Sequence, residues 1–330
     1  MLSVYKRDVF MDGAKTLTYV HTPVLLEQTL SHLSPEGEGY ENGGFMIDST
    51  LGEGGHSYAF LQRFPDLHIQ GLDADAEIQK RARKRLAVFG DRMSFYRGWF
   101  TDFYESYPEN LSRPDLILFD LGISVFHYEC SGRGFSFRSD EPLDMRLDPS
   151  SGKTAADLVN TLRAEELADI FFYFADERYS RRIARAIEQA RTEAPFVSAK
   201  RLADCIYAAV PASYRHGAIH PATKSFQALR IAVNRELERL EAVLDKAFTV
   251  LKPGGKMGVI TFHSLEDRTV KNYFKTLAKS CTCGPEQPIC KCGGKAKASV
   301  LTRKPVCPEA EEIERNSPSR SAKLRVIRKL

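Results

Sequence analysis

Short apolar segments that alternate with helical segments constrain the fold of this chain more than any other feature. Five such segments occur, and they end at Asp48, Asp73, near Gly98 and at Asp120, or begin at Lys256. Short, nearly continuous apolar runs are typical of strands buried in a parallel sheet. Helical segments follow the first two, as in residues 75–90, so the pattern predicts an α/β fold with a doubly wound, mostly parallel sheet.

The strand spacing breaks after the fourth segment. Residues 121–255 separate it from the fifth, which is more chain than one crossover helix needs. Much of this stretch has helical periodicity, with Ile183, Ile187 and Ala190 on one face. We therefore predict a sheet domain in two parts, residues 1–130 and 221–330, with an inserted all-helical domain at residues 131–220.

The second part of the sheet domain is predicted to begin with one long helix over residues 223–251. Apolar residues recur there every three or four positions, which predicts that one helix face packs on the sheet. We interpret the basic residues 318–330 as a C-terminal tail. A second basic cluster comprises Arg178, Arg181, Arg182 and Arg185. Charge alone favours solvated surfaces at both places, and phosphate binding is the alternative.

The glycine-rich segment "DSTLGEGGHS", residues 48–57, follows the first strand. It departs from the dinucleotide fingerprint G-x-G-x-x-G because Ser57 stands at the third glycine position, and it lacks the Lys-Ser/Thr pair of a phosphate loop. The carboxylate of Asp48 would repel a pyrophosphate and attract a cation. The expected ligand therefore carries an amine or a sulfonium group.

Residues at three further strand ends indicate more of the expected ligand. Asp73 stands where a carboxylate accepts hydrogen bonds from ribose hydroxyls, and Trp99 or Phe100 offers an apolar wall for a base. Asp120, at the end of the fourth strand, would contact the atoms next to the base, the amine of an amino-acid tail or the substrate. Each aspartate alone could equally cap a helix or a turn. Together they favour an adenosine with a cationic sulfur and an amino-acid tail, which is S-adenosylmethionine.

Four cysteines cluster in "CTCGPEQPICKC", at Cys281, Cys283, Cys290 and Cys292. Four thiolates can bind Zn²⁺ tetrahedrally, although C-x2-C spacing is more usual than the C-x-C pairs found here. A structural zinc ion and free thiols remain the two interpretations.

Motifs in chain order resemble the bacterial small-subunit ribosomal RNA cytosine-N4 methyltransferase family. They are "HTPVLLEQTL", "DSTLGEGGHS", "FDLGIS", "RGFSFRSDEPLDMRLDP", "HPATKSFQALRIAVNREL", "LKPGGKMGVITFHSLEDRTVK" and "NSPSRSAKLRVI". They run from about residue 21 to the C-terminus, so the resemblance covers nearly the whole chain. "RGFSF…PLDMR" and "FHSLEDR" are not general methyltransferase features.

The resemblance implies a Rossmann-like class I methyltransferase fold with a helical insertion. It implies that S-adenosylmethionine methylates the exocyclic N4 of a cytidine in the decoding region of 16S ribosomal RNA, in the small ribosomal subunit. By motif match, cofactor contacts fall on Gly54, Gly55, His56, Asp73, Phe100 and Asp120. A further family contact is a glutamine, and here His127 stands at that place in "DLGISVFHYEC".

For the chemistry, Asp120 is the best candidate to accept a hydrogen bond from the N4 amine. A role in cofactor binding alone is the alternative.

The loop "GRGFSFRSDEPLDMR" suits stacking of a splayed base by Phe135 and Phe137 and phosphate binding by its arginines. The alternative is a purely structural connection between the sheet and the insertion. Ser264 is predicted to cap the helix after the fifth strand.

The competing function is that of a catalytically inactive RNA-binding protein on a methyltransferase fold. A nicotinamide oxidoreductase is disfavoured by the missing fingerprint.

The location follows from what the sequence lacks. No apolar run approaches the roughly 20 residues that span a bilayer, and the N-terminal residues 1–15 lack the apolar core of a signal peptide. We expect a cytoplasmic protein without a membrane partner. Both a monomer and a homodimer are compatible with the sequence.

Overall fold

The computed structural model describes residues 23–35, 44–281, 283 and 294–330. Within these ranges one sheet contains seven strands, namely β1 (Phe45–Asp48), β2 (His68–Asp73), β3 (Met93–Arg97), β4 (Leu116–Asp120), β5 (Lys256–Thr261), β6 (Ala298–Val300) and β7 (Lys323–Lys329). Their order is β3-β2-β1-β4-β5-β7-β6. The first five strands in this order are parallel, and β7 is antiparallel to both β5 and β6.

The central strands are buried on both faces. Met46 and Leu118 face one apolar cluster, and Ile47 and Phe119 face the other, as expected from the alternation of side chains along a strand. This arrangement confirms the predicted α/β fold with its doubly wound, mostly parallel sheet.

Helices cover both faces of the sheet and form the insertion. In the first part they are α1 (Leu26–His32), α2 (Gly55–Arg63), α3 (Ala76–Leu86), α4 (Phe100–Glu105) and α5 (Val125–Glu129). The insertion contains α6 (Ala155–Thr161), α7 (Ala164–Ala175), α8 (Ser180–Glu193), α9 (Ala199–Ala209) and α10 (Ala212–Arg215). They are followed by α11 (Ala222–Asn234), α12 (Glu236–Val250), α13 (Ser264–Leu277) and α14 (Ala310–Arg315). In the described ranges, no helix is both long and apolar enough to cross a membrane.

The insertion has an apolar core of its own. Ile183 and Ile187 on α8 are fully buried there, together with Phe171 on α7 and Leu202 on α9. Residues 131–154 precede these helices without regular helical structure. The domain boundaries at residues 130 and 220 remain predictions, because this core also recruits side chains from α11.

The single long helix predicted over residues 223–251 is wrong. Arg235 adopts a left-handed conformation with φ of 51°, which ends α11 and begins α12. Phe226 and Leu229 on α11 pack into the core of the insertion, whereas Leu240 on α12 packs on the sheet. The apolar periodicity continues across the break, so the sequence pattern contains no sign of the change in direction.

The interpretation of residues 318–330 as a basic tail is also wrong, because residues 323–329 form β7. Leu324, Val326 and Ile327 are fully buried in the sheet. Their basic neighbours are paired within the fold, since Arg325 donates to Asp267 over 2.7 and 3.2 Å. Arg325 therefore ties β7 to α13, and the cations that are paired here are unavailable to phosphate.

Asn234 joins the end of α11 to the loop that precedes the helices of the insertion. Its side-chain oxygen accepts from the amide of Leu147, and its nitrogen donates to the carbonyl of Met145, each over 2.8 Å. We expect Asn234→Ala to lower the free energy of unfolding by about 1–3 kcal/mol, because two buried backbone groups lose their partner. Urea denaturation measures this, and exposed Asn110→Ala is the control. Equal stability of the two variants would contradict the assignment.

Candidate functional site

A cavity opens where the parallel strands end at the carboxyl edge of the sheet, the usual ligand position in such folds. Six of the predicted site residues line it, namely Gly55, His56, Asp73, Phe100, Asp120 and His127. The other two, Asp48 and Gly54, lie outside the set of described residues that form its wall. The topology thus brings together side chains from β2, β4, α2, α4 and α5.

The glycine loop reaches its shape through close packing. Gly54 has φ of +75°, and a Cβ there would lie 2.7 Å from the side chain of Leu86 on α3. A Cβ on Gly55 would lie 2.5 Å from the ring of Pro23. Both positions therefore exclude a side chain, and the start of α2 can approach the cavity closely.

Asp48 holds this loop from beneath. Its carboxylate accepts a 2.6 Å hydrogen bond from the Ser57 hydroxyl and a 3.3 Å bond from the amide of Thr50. Burial raises the pKa of Asp48 to about 6. The direct contact between Asp48 and a cationic ligand remains a prediction, since the carboxylate is almost fully buried behind the loop.

Asp73 lines the cavity at the end of β2 and organises two turns. One carboxylate oxygen accepts from the amide of Gly52 and the other from the amide of Asp75, each over 2.8 Å. Burial raises the pKa of Asp73 to about 7. A carboxylate oxygen has a second lone pair, so each can still accept from a ribose hydroxyl.

A buried charge cluster lies behind the cavity. Asp75 caps α3 and accepts from His127 Nε2 over 2.9 Å and from the guanidinium of Arg133. Although burial opposes ionisation, hydrogen bonds from His127 and Arg133 lower the pKa of Asp75 to about 2. Because a carboxylate can only accept, Nε2 of His127 carries the proton. His127 Nδ1 is then a buried acceptor without a hydrogen-bond partner.

The sequence did not reveal Asp75 or the role of Arg133. Arg133 belongs to the loop predicted to stack a base, and its guanidinium also donates to the carbonyls of Arg146 and Leu147. Phe135 is buried in the core of the insertion, and Arg146 is paired with Asp144. This loop therefore acts as a structural connection within the fold rather than as a base-stacking surface.

Asp120 presents a carboxylate to the cavity at the end of β4. Its side chain is 24% exposed, and Oδ2 lies 3.5 Å from Nδ1 of His56. Its Oδ1 is buried without a hydrogen-bond partner. Burial, together with the charges of Asp48 and Glu266, raises the pKa of Asp120 well above its ordinary value.

Aromatic side chains form the wall at the end of β3. Trp99 and Phe100 both line the cavity, as predicted for one of them. The guanidinium of Arg239 lies 3.7 Å from the centre of the Trp99 ring, while Phe100 packs edge-on against Phe119. Each ring is therefore held in place by a neighbouring side chain, and the aromatic wall suits a flat base.

A polar cluster follows β5 on the opposite side of the cavity. Glu266, and not the predicted Ser264, accepts from the amides of Phe262 and His263 at the start of α13. Glu236, His263 and Glu266 bring ligand atoms within 4.8 Å of one another. Arg230 donates to both carboxylate oxygens of Glu236 over 2.9 Å. Because that carboxylate is already neutralised, we assign no metal ion to this cluster.

The zinc prediction is not tested. Cys281 and Cys283 are described, and the amide of Cys283 donates to the sulfur of Cys281 over 3.4 Å. Cys290 and Cys292 lie outside the described residues. The zinc site therefore stays a prediction.

The charge of Asp75 is expected to stabilise the fold in a pH-dependent way. Asp75→Asn keeps a helix cap but removes the charge that pairs with Arg133, at an expected cost of about 3 kcal/mol or more. Because the folded pKa of about 2 lies below the ordinary 3.8, this difference is full above about pH 5 and shrinks as the pH falls toward 2. Urea denaturation of both proteins across this range measures it.

The matched control makes the same kind of change in an exposed ion pair. Arg235 and Glu238 are paired at the surface with both side chains about two-thirds exposed. Glu238→Gln should cost below about 1 kcal/mol. Equal losses for the two variants would contradict a special role for the buried cluster.

Comparison with known proteins gives the family. A family model described as the MraW methylase family matches residues 18–330. A Treponema denticola protein named Ribosomal RNA small subunit methyltransferase H is 58% identical over 311 residues, which cover 94% of this chain and 98% of that protein. Proteins of the same name from Treponema pallidum and Carboxydothermus hydrogenoformans are 45% and 47% identical, and the matches cover 94% and 95% of this chain and 92% and 99% of theirs. The chain belongs to the MraW methylase family.

Proposed function

We propose that this protein transfers a methyl group from S-adenosylmethionine to the exocyclic N4 of a cytidine in the decoding region of 16S ribosomal RNA. The relatives' name supports ribosomal RNA of the small subunit as the substrate. The choice of cytidine N4 rests on the resemblance of the motifs. A cytoplasmic location, where ribosomal subunits are found, is part of the same proposal.

The observation that carries the proposal is the set of unsatisfied acceptors around the cavity. Asp120 Oδ1 and His127 Nδ1 are buried and lack hydrogen-bond partners, and Asp73 has lone pairs to spare. Buried acceptors without partners are costly, so a ligand rich in donors is expected to supply them. An adenosine with its amine, its ribose hydroxyls and an amino-acid ammonium group fits this requirement.

The chain's own residues mainly have to bind and orient the reactants. When bound, the cofactor supplies an activated methyl group on a sulfonium. Asp73 would hold the ribose, Trp99 and Phe100 would flank the base, and the glycine loop would let α2 approach closely. The N4 lone pair of cytosine is delocalised into the ring. A hydrogen bond from N4 to the carboxylate of Asp120 would favour a pyramidal nitrogen with an available lone pair, in line with the methyl group.

The insertion offers a surface for RNA. Arg178, Arg181 and Arg182 are exposed beside the rings of Phe172 and Tyr173, around a shallow cavity. Exposed aromatic rings next to arginines suit unpaired bases and phosphates. Here the structure favours phosphate binding more than charge alone did.

The deciding experiment is methyl transfer to small ribosomal subunits. The protein is incubated with subunits from a strain that lacks the modification and with labelled S-adenosylmethionine, and the nucleosides are then separated. We expect label in N4-methylcytidine, and Asp120→Asn should lower the rate by about 100-fold or more. An inactive RNA-binding protein would retain the subunit without labelling it. That result would overturn the proposal.

Cofactor affinity tests the ribose assignment separately. Asp73→Ala should weaken the binding of S-adenosylhomocysteine roughly 10- to 100-fold, because hydrogen bonds to a charged group are lost. Calorimetry measures the affinity, thermal unfolding verifies the fold, and exposed Asp66→Ala is the control. An unchanged dissociation constant in a folded variant would refute the assignment.

A further inference from the structure

Methylation of an amine requires a destination for a proton. As the N–CH₃ bond forms from the nitrogen lone pair, the sulfur keeps the electron pair of the broken S–CH₃ bond. The methylated nitrogen must then release one proton to become a neutral secondary amine. Among the described residues that line the cavity, Asp120 has a buried carboxylate oxygen without a hydrogen-bond partner. It is not isolated, because its second oxygen lies close to His56.

The geometry of His56 defines its protonation. Its Nε2 lies 3.1 Å from the carbonyl oxygen of Val24, which can only accept a hydrogen bond. Nε2 therefore carries a proton, and Nδ1, 3.5 Å from Asp120 Oδ2, is the nitrogen that can gain or lose one. The imidazole is nearly fully buried at the start of α2 and cannot turn away without losing Val24.

We propose that Asp120 and His56 act as one proton-sharing pair that receives the proton lost by the acceptor amine. The inference rests on the proposed function and adds His56 as a positioning residue for the base. In the step, one N4 proton moves to the carboxylate of Asp120, and the pair then holds it between Oδ2 and Nδ1. The positive charge that leaves the sulfur is thereby kept in the site as a proton. The buried site keeps the same net charge throughout.

The surroundings of the pair favour this exchange. The charged groups that face Asp120 are Asp48 from the end of β1 and Glu266 from α13, besides His56 from α2. Burial and these two negative charges raise the pKa of Asp120, so without a nearby cation the carboxyl group prefers to hold a proton. A sulfonium bound near Asp120 would lower the pKa of that carboxyl group and favour loss of the proton. The base is therefore unprotonated when the methyl donor is bound.

Proton release on binding tests the pair without catalysis. S-adenosylmethionine and S-adenosylhomocysteine share the adenosine and the amino acid and differ in the methyl group and the charge on sulfur. At neutral pH, calorimetry in buffers of different ionisation enthalpy should show that the cationic ligand releases roughly one more proton than the neutral one. Equal release by the two ligands would overturn the inference.

A variant separates His56 from Asp120. His56→Gln keeps a donor for Val24 and a similar volume but cannot take up a proton. We expect the difference in proton release between the two ligands to fall by at least about half. The single-turnover rate should fall at least about tenfold, and the rising limb of its pH profile should move to lower pH. The affinity for S-adenosylhomocysteine, measured on the same variant, reports separately any direct contact between His56 and the cofactor. Exposed His68→Gln is the control and should change none of these values.

The alternative role of His56 gives a different result. If His56 only contacts the cofactor, His56→Gln weakens both ligands equally and leaves proton release and the pH profile unchanged, which would refute the pair. The proposed function fails separately. If the wild-type protein releases the extra proton but labels no cytidine, the proton-sharing pair stands and the proposed substrate is wrong. If it labels N4-methylcytidine without extra proton release, the proposed function stands and the pair is refuted.

Discussion

The parallel register of β2, β1, β4 and β5 is the constraint on which the site depends. Because these strands run in one direction, the loops that follow them emerge at the same edge of the sheet. Residues far apart in the chain, such as Asp73, Asp120 and Glu266, therefore meet around one cavity. A sheet with alternating strand directions would distribute the same side chains over both edges.

The same register concentrates negative charge. Asp48, Asp73, Asp75 and Asp120 lie at one edge, and in the described structure only Asp75 is compensated by a cation, Arg133, within ion-pair distance. The others have raised pKa values because burial disfavours their charged forms. An excess of buried carboxylates is unfavourable in the empty protein and favourable once a cation binds. The unfavourable free energy of these buried carboxylates thus contributes to selectivity for a positively charged ligand.

The sequence predicted those parts of the fold that depend on local patterns. Five strands, the aspartates at their ends and the helical insertion all follow from short-range periodicity. The break at Arg235 was missed because the apolar period continues through it while the packing partner changes from the insertion to the sheet. β7 was missed because its basic residues suggested a tail, although Lys323 and Arg325 alternate with Leu324 and Val326 as in a strand.

The site was predicted in part for the same reason. Motif and strand position identified six residues that line the cavity. The pairing of Asp75 with Arg133 joins positions 58 residues apart, and a single sequence carries no signal for such a contact. The link between His56 and Asp120 likewise depends on the approach of α2 to β4, which only the packed structure provides.

The position of β7 has a consequence for the order of synthesis. This strand lies between β5 and β6, yet it follows both along the chain. While the nascent chain is still being translated, β5 has an unpaired edge, and Asp267 on α13 lacks Arg325. The sheet can be completed only after residues 323–329 have left the ribosome. The pairing of β5 is therefore completed only after every other strand of the described sheet has been synthesised.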